Sequence, residues 1–195
     1  MQGIIKVILN LFSRKFLIKI SLILKPFFEL IFKGDRFIDP INNKSYSYFF
    51  PYGYNKLRKN ALSPGTLSLE RHRLLWIFLE KETDFFNTEN KILHIAPEQC
   101  FYKSFKKNFQ SYTTCDLNSP IAEIRADVCN LPFDENEFDF VLCNHVLEHV
   151  YDDEKAMKEI YRVLKHEGKA ILQVPVDNAL EKTIDGRDIS CLLYT

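Results

Sequence analysis

The pattern of apolar and polar positions divides the chain into stretches of different character. Residues 4–32, IIKVILNLFSRKFLIKISLILKPFFELIF, repeat at helical spacing. Lys6, Asn10, Ser13, Arg14, Ser21 and Lys25 gather on one broad face, and Ile, Leu and Phe fill the rest. This predicts an amphipathic helix with Pro26 as the place for a kink. Over 33–64 the sequence turns aromatic and turn-rich. Period-two alternation across 45–50 predicts a short strand, and Pro51 with Gly53 a turn, together a small β-containing knuckle. Leu69, Leu74, Leu75, Trp76, Phe78 and Leu79 then form an apolar stripe in LERHRLLWIFLEK, which predicts a core-packing helix capped by Ser68 or Thr66.

Beyond residue 90 short apolar runs alternate with amphipathic ones. Strands are predicted at 91–96, 112–117, 138–143 and 169–175, the last as a buried strand. Helices are predicted at 101–109 and 152–165, the second with acids in its first turn, Lys165 in its last and Gly168 as its stop. Between them, ADVCNLPF at 126–133 reads as an acidic turn and hairpin-like link before the strand FDFVLC. Such alternation predicts an α/β fold with a doubly wound, mostly parallel sheet.

Charge changes this picture at one place. The 195 residues carry no net charge, which argues against nucleic acid as the main partner, since phosphate binding calls for a basic excess. Yet residues 1–33 hold six Lys/Arg against the single acid Glu29, so this stretch carries +5 and the remainder −5. Its apolar run is too interrupted by charge to cross a bilayer and lacks a small-residue cleavage site. Two readings of the helix follow. It is a peripheral anchor on an anionic membrane surface, or it packs on its own domain or on a second subunit. Cys100, Cys115, Cys129, Cys143 and Cys191 are odd in number and never two residues apart, which speaks for a reducing cytoplasm, with the membrane's inner face as the alternative location, and against a disulfide framework or a cysteine metal site.

In doubly wound sheets ligands bind beyond the carboxyl ends of the strands. Asp116 lies there, 20 residues after Ala96, where a carboxylate can accept from ribose hydroxyls. Asp127 and the amide of Val128 are placed to meet an adenine edge, and Asn144 with His145 to line the cleft. His145 and His149 stand where a base would, but each reads as positional, and no residue is assigned a catalytic role.

DLNSP at 116–120, the stretch 126–150 and AMKEIYRVLKHEGKAILQVP at 156–175 resemble class I S-adenosylmethionine-dependent methyltransferases. The resemblance implies a Rossmann-like core, S-adenosylmethionine as cofactor, and a small-molecule, glycan or lipid-linked acceptor. It also implies a cofactor cradle of His94, Ala96, Pro97, Glu98, Asp116, Leu117, Asp127, Val128, Asn144 and His145. Where that family reads G-x-G-x-G, this chain has His94, Ile95, Ala96, Pro97 and Glu98, with no glycine. Ala96 leaves room for close approach, and Glu98 offers a carboxylate to the cofactor's ammonium. HIAPE is the regular form in a subgroup that this chain resembles.

The same subgroup carries a cysteine knuckle before a helix reading SLERHRLLW. The matching positions here are Asp39, Asn42, Ser63 and Thr66, so the resemblance implies a metal-free knuckle, held by Tyr46, Tyr48, Phe49, Phe50, Tyr52 and Tyr54. These readings set domains at 1–33, 34–66 and 67–195. Only about twenty residues follow the strand at 169–175, too few for the helix and strand pair with which the family fold continues. The chain is read as truncated, with strands supplied by a partner as the alternative. A nicotinamide enzyme would lack its glycine fingerprint here. A non-catalytic methyltransferase-like protein or membrane-associated binding module is the other competing function.

Overall fold

The N-terminal amphipathic pattern becomes helix α1 (Arg14–Ile31), with Pro26 inside it, in a computed structural model that describes residues 14–53 and 57–176. The start of the predicted helix, Tyr54 and the segment from 177, Cys191 included, lie outside the described residues. The chain divides into two units, Met1–Thr83 and Asp84–Thr195.

In the first unit, β1 (Lys33–Asp39) pairs antiparallel with β2 (Lys44–Tyr46), and β3 (Phe50–Tyr52) with β4 (Arg58–Leu62). The single strand predicted over 45–50 is thus split. Tyr46 and Phe49 are both buried, their rings 6.0 Å apart, and two inward residues three apart cannot belong to one continuous pleat. Pro51 lies inside β3 rather than in a turn. Phe28 of α1 and Phe32 just after it pack edgewise on Phe50, with ring centroids at 5.4 and 4.9 Å.

Aromatic packing is only half of what closes this unit. Asp39 is fully buried: its Oδ1 accepts from the Ile41 amide at 3.0 Å and its Oδ2 from the Thr66 hydroxyl at 2.5 Å. Ser68 Oγ adds a contact 2.7 Å from Thr66 Oγ1. Ser63 Oγ accepts from the amides of Gly65 and Thr66, and the Asn42 side-chain amide donates to the Tyr46 hydroxyl at 2.8 Å. A Cβ on Gly65 would overlap that hydroxyl and the Asn42 amide nitrogen, so the turn admits only glycine.

Because Thr66 and Ser68 serve Asp39, neither caps the following helix α2 (Glu70–Glu82). Instead the Leu69 amide donates to His72 Nδ1 at 3.0 Å. One face of α2 is buried through His72, Leu75, Trp76 and Leu79. Leu74 and Phe78, counted in the predicted stripe, point the other way and are exposed.

The second unit holds a parallel five-stranded sheet. Its strands are β5 (Lys91–Ile95), β6 (Ser111–Asp116), β7 (Ile124–Arg125), β8 (Phe138–Asn144) and β9 (Leu164–Gln173), in the order β7-β6-β5-β8-β9. Ile92 through Ile95 are all buried, as central strands covered on both faces require. Helix α3 (Gln99–Asn108) contributes Phe101 and Phe105. Phe85 meets Phe105, Phe109 and Phe140 with centroids at 5.1 to 5.2 Å, an aromatic core beneath the sheet. Cys115 and Cys143 are buried hydrophobes, their thiols pushed up to about 12 by burial.

Helix α4 (Asp153–Val163) is capped by Asp152, whose Oδ1 accepts from the Lys155 amide at 3.0 Å. It ends at Val163, and Gly168 is not its stop. The chain enters β9 at once, with a bulge between the Phe138↔Leu164 and Phe140↔Lys169 pairings, because Lys165 Nζ is drawn to both oxygens of Asp139 at 2.9 and 2.7 Å. Nor is β9 a buried strand. It lies at the sheet edge among the described residues, and Leu172 and Val174 are exposed.

Candidate functional site

Register fixes the site. Ile95 pairs with Cys115 on one side and with Cys143 on the other, so β6, β5 and β8 end level and present Ala96, Asp116 and Asn144 in a row. Between β5 and β8 the order reverses, which is where open parallel sheets leave a crevice.

At that crevice Glu98 joins two strands. His94, fully buried in β5, places Nε2 2.6 Å from Glu98 Oε2, while Asn144 Nδ2 donates to Glu98 Oε1 at 3.2 Å. On the far side His94 Nδ1 lies 2.8 Å from the Tyr112 hydroxyl of β6. Burial pushes that phenol above its ordinary range, so it remains a neutral donor. Tyr112 donating to Nδ1 and Nε2–H donating to the carboxylate satisfies the ring with one proton. Three residues read from the sequence, His94, Glu98 and Asn144, are therefore one hydrogen-bonded unit. Both carboxylate oxygens of Glu98 are thereby oriented at the crevice.

The loop after β5 keeps the shape that glycine would give it. Ala96 sits at φ 52, in the left-handed region, with its amide donating to Cys115 O at 2.9 Å, and Pro97 is buried behind it. A non-glycine residue there costs about 1–2 kcal/mol. His145, after β8, repeats the conformation at φ 54, its amide donating to Gln173 O at 2.8 Å. Backbone strain of this kind gathers at binding sites.

Asp116 ends β6 half-buried. Its Oδ1 accepts from the amides of Asn118 and Ser119, which leaves Oδ2 outside that turn, and Leu117 is exposed beside it. Asp127 is exposed and folds on itself: Oδ1 accepts from Cys129 N at 2.9 Å and its carbonyl from Asn130 N at 2.9 Å. Val128 is buried. The ensuing LPF is clamped by Arg162 of α4, whose guanidinium donates to the carbonyls of Phe133 and Leu131 at 2.8 and 2.9 Å. Glu159 accepts from Arg162 and from the Leu131 amide, and the Arg162 bonds hold its carboxyl below the usual range.

Four participants escaped the sequence reading: Tyr112, Ser119, Glu148 and Arg162. Glu148 had the clearest signal, being three residues from His145 and adjacent to His149. Its Oε1 lies 3.3 Å from His145 Nδ1 and 3.9 Å from His149 Nε2. Within the described part of the second unit, the buried side-chain polar atoms without a hydrogen-bond partner are Ser119 Oγ, Asn144 Oδ1 and Glu148 Oε2. Asn144 is the last residue of β8, and Ser119 and Glu148 follow the ends of β6 and β8. Buried polar atoms are rarely left unpaired, and a cluster of them marks where a polar ligand completes the structure. No group of three or more metal-ligating side chains stands together among the described residues.

Residues 87–172 match the family described as a methyltransferase domain. An uncharacterized protein of Methanocaldococcus jannaschii is 48% identical over 60 residues, 31% of this chain and 26% of its own length. A 2-phytyl-1,4-naphtoquinone methyltransferase of Nostoc punctiforme is 44% identical over 52 residues, 27% of this chain and 23% of its own length. Among solved structures, the YcgJ protein of Bacillus subtilis aligns with a TM-score of 0.45 at 23% identity, covering 53% of this chain and 50% of that one. The chain spans about a quarter of the length of the curated relatives it matches. Over 87–172, then, the chain is similar to a methyltransferase domain, and S-adenosylmethionine is the cofactor that this similarity implies.

The residues present fit that cofactor. It offers an ammonium, a carboxylate, ribose hydroxyls and an adenine. The crevice offers a carboxylate in Glu98, a second in Asp116, and the orphaned Asn144 Oδ1 and Ser119 Oγ.

Proposed function

We propose that this chain is an S-adenosylmethionine-dependent methyltransferase whose acceptor is a quinone-like small molecule, working in the cytoplasm in peripheral contact with the inner face of a membrane through residues 1–33. The observation that carries the methyl-transfer reading is the set of orphaned polar atoms at the ends of β6 and β8, which fall inside the segment matching the methyltransferase family. The quinone class rests on the names of relatives, the Nostoc enzyme above and a demethylmenaquinone methyltransferase of Staphylococcus carnosus.

When bound, the cofactor supplies a methyl group on a sulfonium, which leaves as a good thioether. The protein's part is then placement more than acid–base chemistry. Glu98, aligned by His94 and Tyr112 from one side and by Asn144 from the other, would hold the ammonium. Asp116 would hold the ribose hydroxyls, and Leu117, Asp127 and Val128 would border the adenine. Pro97 and Ala96 fix the turn on which Glu98 stands. His145 walls the crevice. The relatives named above do not favour the glycan and lipid-linked acceptors allowed by the sequence.

The test is transfer of a labelled methyl group from S-adenosylmethionine to a prenylated naphthoquinol, in wild type and Glu98→Gln. Transfer that falls at least tenfold in the variant, with KM for the cofactor raised, is the expected result. Cofactor binding without transfer to the quinol would refute the acceptor, and transfer unchanged in Glu98→Gln would refute the role of the carboxylate.

A further inference from the structure

Among the described side chains of helix α1, one apolar set is packed and another is exposed. Phe28, near the C-terminal end of the helix, and Phe32, just after it, pack on Phe50 of β3. Ile20, Ile23, Leu24, Phe27, Leu30 and Ile31 are exposed, with Ile23 and Leu30 three-quarters open to solvent. At 100° per residue these six fall within one arc of about 120°, turned away from the Phe28 and Phe32 side. Large side chains scattered singly over a surface are ordinary, but six on one stripe of one helix are a contact surface.

We propose that this stripe docks α1 on an anionic lipid bilayer, lying in the plane of the interface. Charge complementarity selects this occupant. Residues 1–33 carry +5 and the rest of the chain −5, so an anionic surface attracts this end and repels the other, which sets the orientation of approach. Lys19 is exposed at the edge of the stripe, on a stem long enough to reach headgroups while the apolar side chains sink below it, and Lys33 is exposed at the start of β1. Glu29 is neutralised within the unit by Lys44 at 2.6 Å and Lys25 at 3.7 Å, so the lone acid of the segment does not oppose the contact. No described helix is long and apolar enough to cross a membrane, which leaves lying on the surface as the way to cover the stripe.

A second copy is a poorer fit. From Ile20 to Ile31 the stripe runs about 17 Å, roughly one helix wide, small against the roughly 800 Å² per partner of a stable interface. Pairing two such stripes would also set one +5 segment against another.

This deepens the peripheral contact proposed above by naming its surface and its lipid, and it is independent of methyl transfer. The full-length protein is sedimented with vesicles of phosphatidylcholine containing 30% phosphatidylglycerol and with phosphatidylcholine alone, at low and high salt. Wild type is compared with the double variant Ile23→Asp/Phe27→Asp. Binding to the anionic vesicles that is weakened by salt and falls at least tenfold in the variant, whose melting temperature is unchanged, is the expected result. Binding that the variant retains would overturn the assignment to this stripe while leaving a contact elsewhere in residues 1–33. No binding by wild type would refute stripe and contact together. A dimer that the variant dissociates, without vesicle binding, would give the face to a second copy.

Discussion

The two units solve the same problem of closure by opposite means. In the second, the strands meet through apolar contact: Ile92, Leu93, Val141 and Leu142 are fully buried and Phe85 packs against Phe105, Phe109 and Phe140. In the first, short strands with little apolar surface are drawn together around one buried carboxylate, Asp39, and the hydroxyls that serve it. Non-directional burial tolerates small losses at many places. A directional polar network concentrates the risk, because removing one member leaves the others buried and unsatisfied.

Substitution in the aromatic core is the strongest way to probe this contrast. Phe105→Ala removes the ring that touches Phe85, Phe101, Phe109 and Tyr112, and is expected to cost about 3–5 kcal/mol of the second unit's stability, read by denaturant unfolding. A cost under 1 kcal/mol would mean the rings are not a packed core. Asp39→Ala leaves the Ile41 amide without its acceptor and opens a hole beside the Thr66 and Ser68 hydroxyls, with an expected loss of about 2–4 kcal/mol confined to residues 14–83. Hydrogen exchange protection lost equally in both units would show that they unfold as one.

Acid acts more mildly, and chiefly on the second unit. Burial raises the Asp139 carboxyl, but the Lys165 ammonium and the Lys91 amide outweigh it and hold it below the usual range. Arg162 holds Glu159 low in the same way. A carboxyl lowered on folding contributes stability that is whole above its unfolded value, about 4, and fades as pH falls through the lower folded value. The melting temperature is therefore expected to be flat at neutral pH and to drop below about pH 4, less steeply in Asp139→Asn. An identical acid slope in that variant would remove Asp139 from the account. The smallest effect runs the other way. Ala96→Gly relieves a left-handed alanine and is expected to gain about 0.5–1 kcal/mol, since the strain removed exceeds glycine's added chain entropy. A loss instead would mean that the loop is held without strain.

How far these features were legible depends on how local their causes are. The strands at 91–96 and 138–143 were readable to within a residue because their apolar runs are short and bounded. The knuckle was not, since it is held by contacts distant in sequence, Thr66 meeting Asp39 across 27 residues. The same limit applied in the site. Asp116 and Asn144 could be placed from strand ends alone. The Tyr112–His94–Glu98–Asn144 chain depends on the register of three strands, which no spacing announces. Gly168 misled because a glycine after a helical run resembles a stop, whereas the Lys165–Asp139 pair had already drawn the chain into β9.

The central claim, that the crevice past β5, β6 and β8 binds S-adenosylmethionine without a glycine loop, is tested most directly by thermal melts with increasing S-adenosylhomocysteine. A ligand that binds only the folded state at a hundredfold excess over Kd adds about 2.7 kcal/mol. A saturable upward shift in wild type, lost in Asp116→Ala while that variant still melts cooperatively, is the result predicted. A cooperative melt that the ligand never moves would contradict the claim.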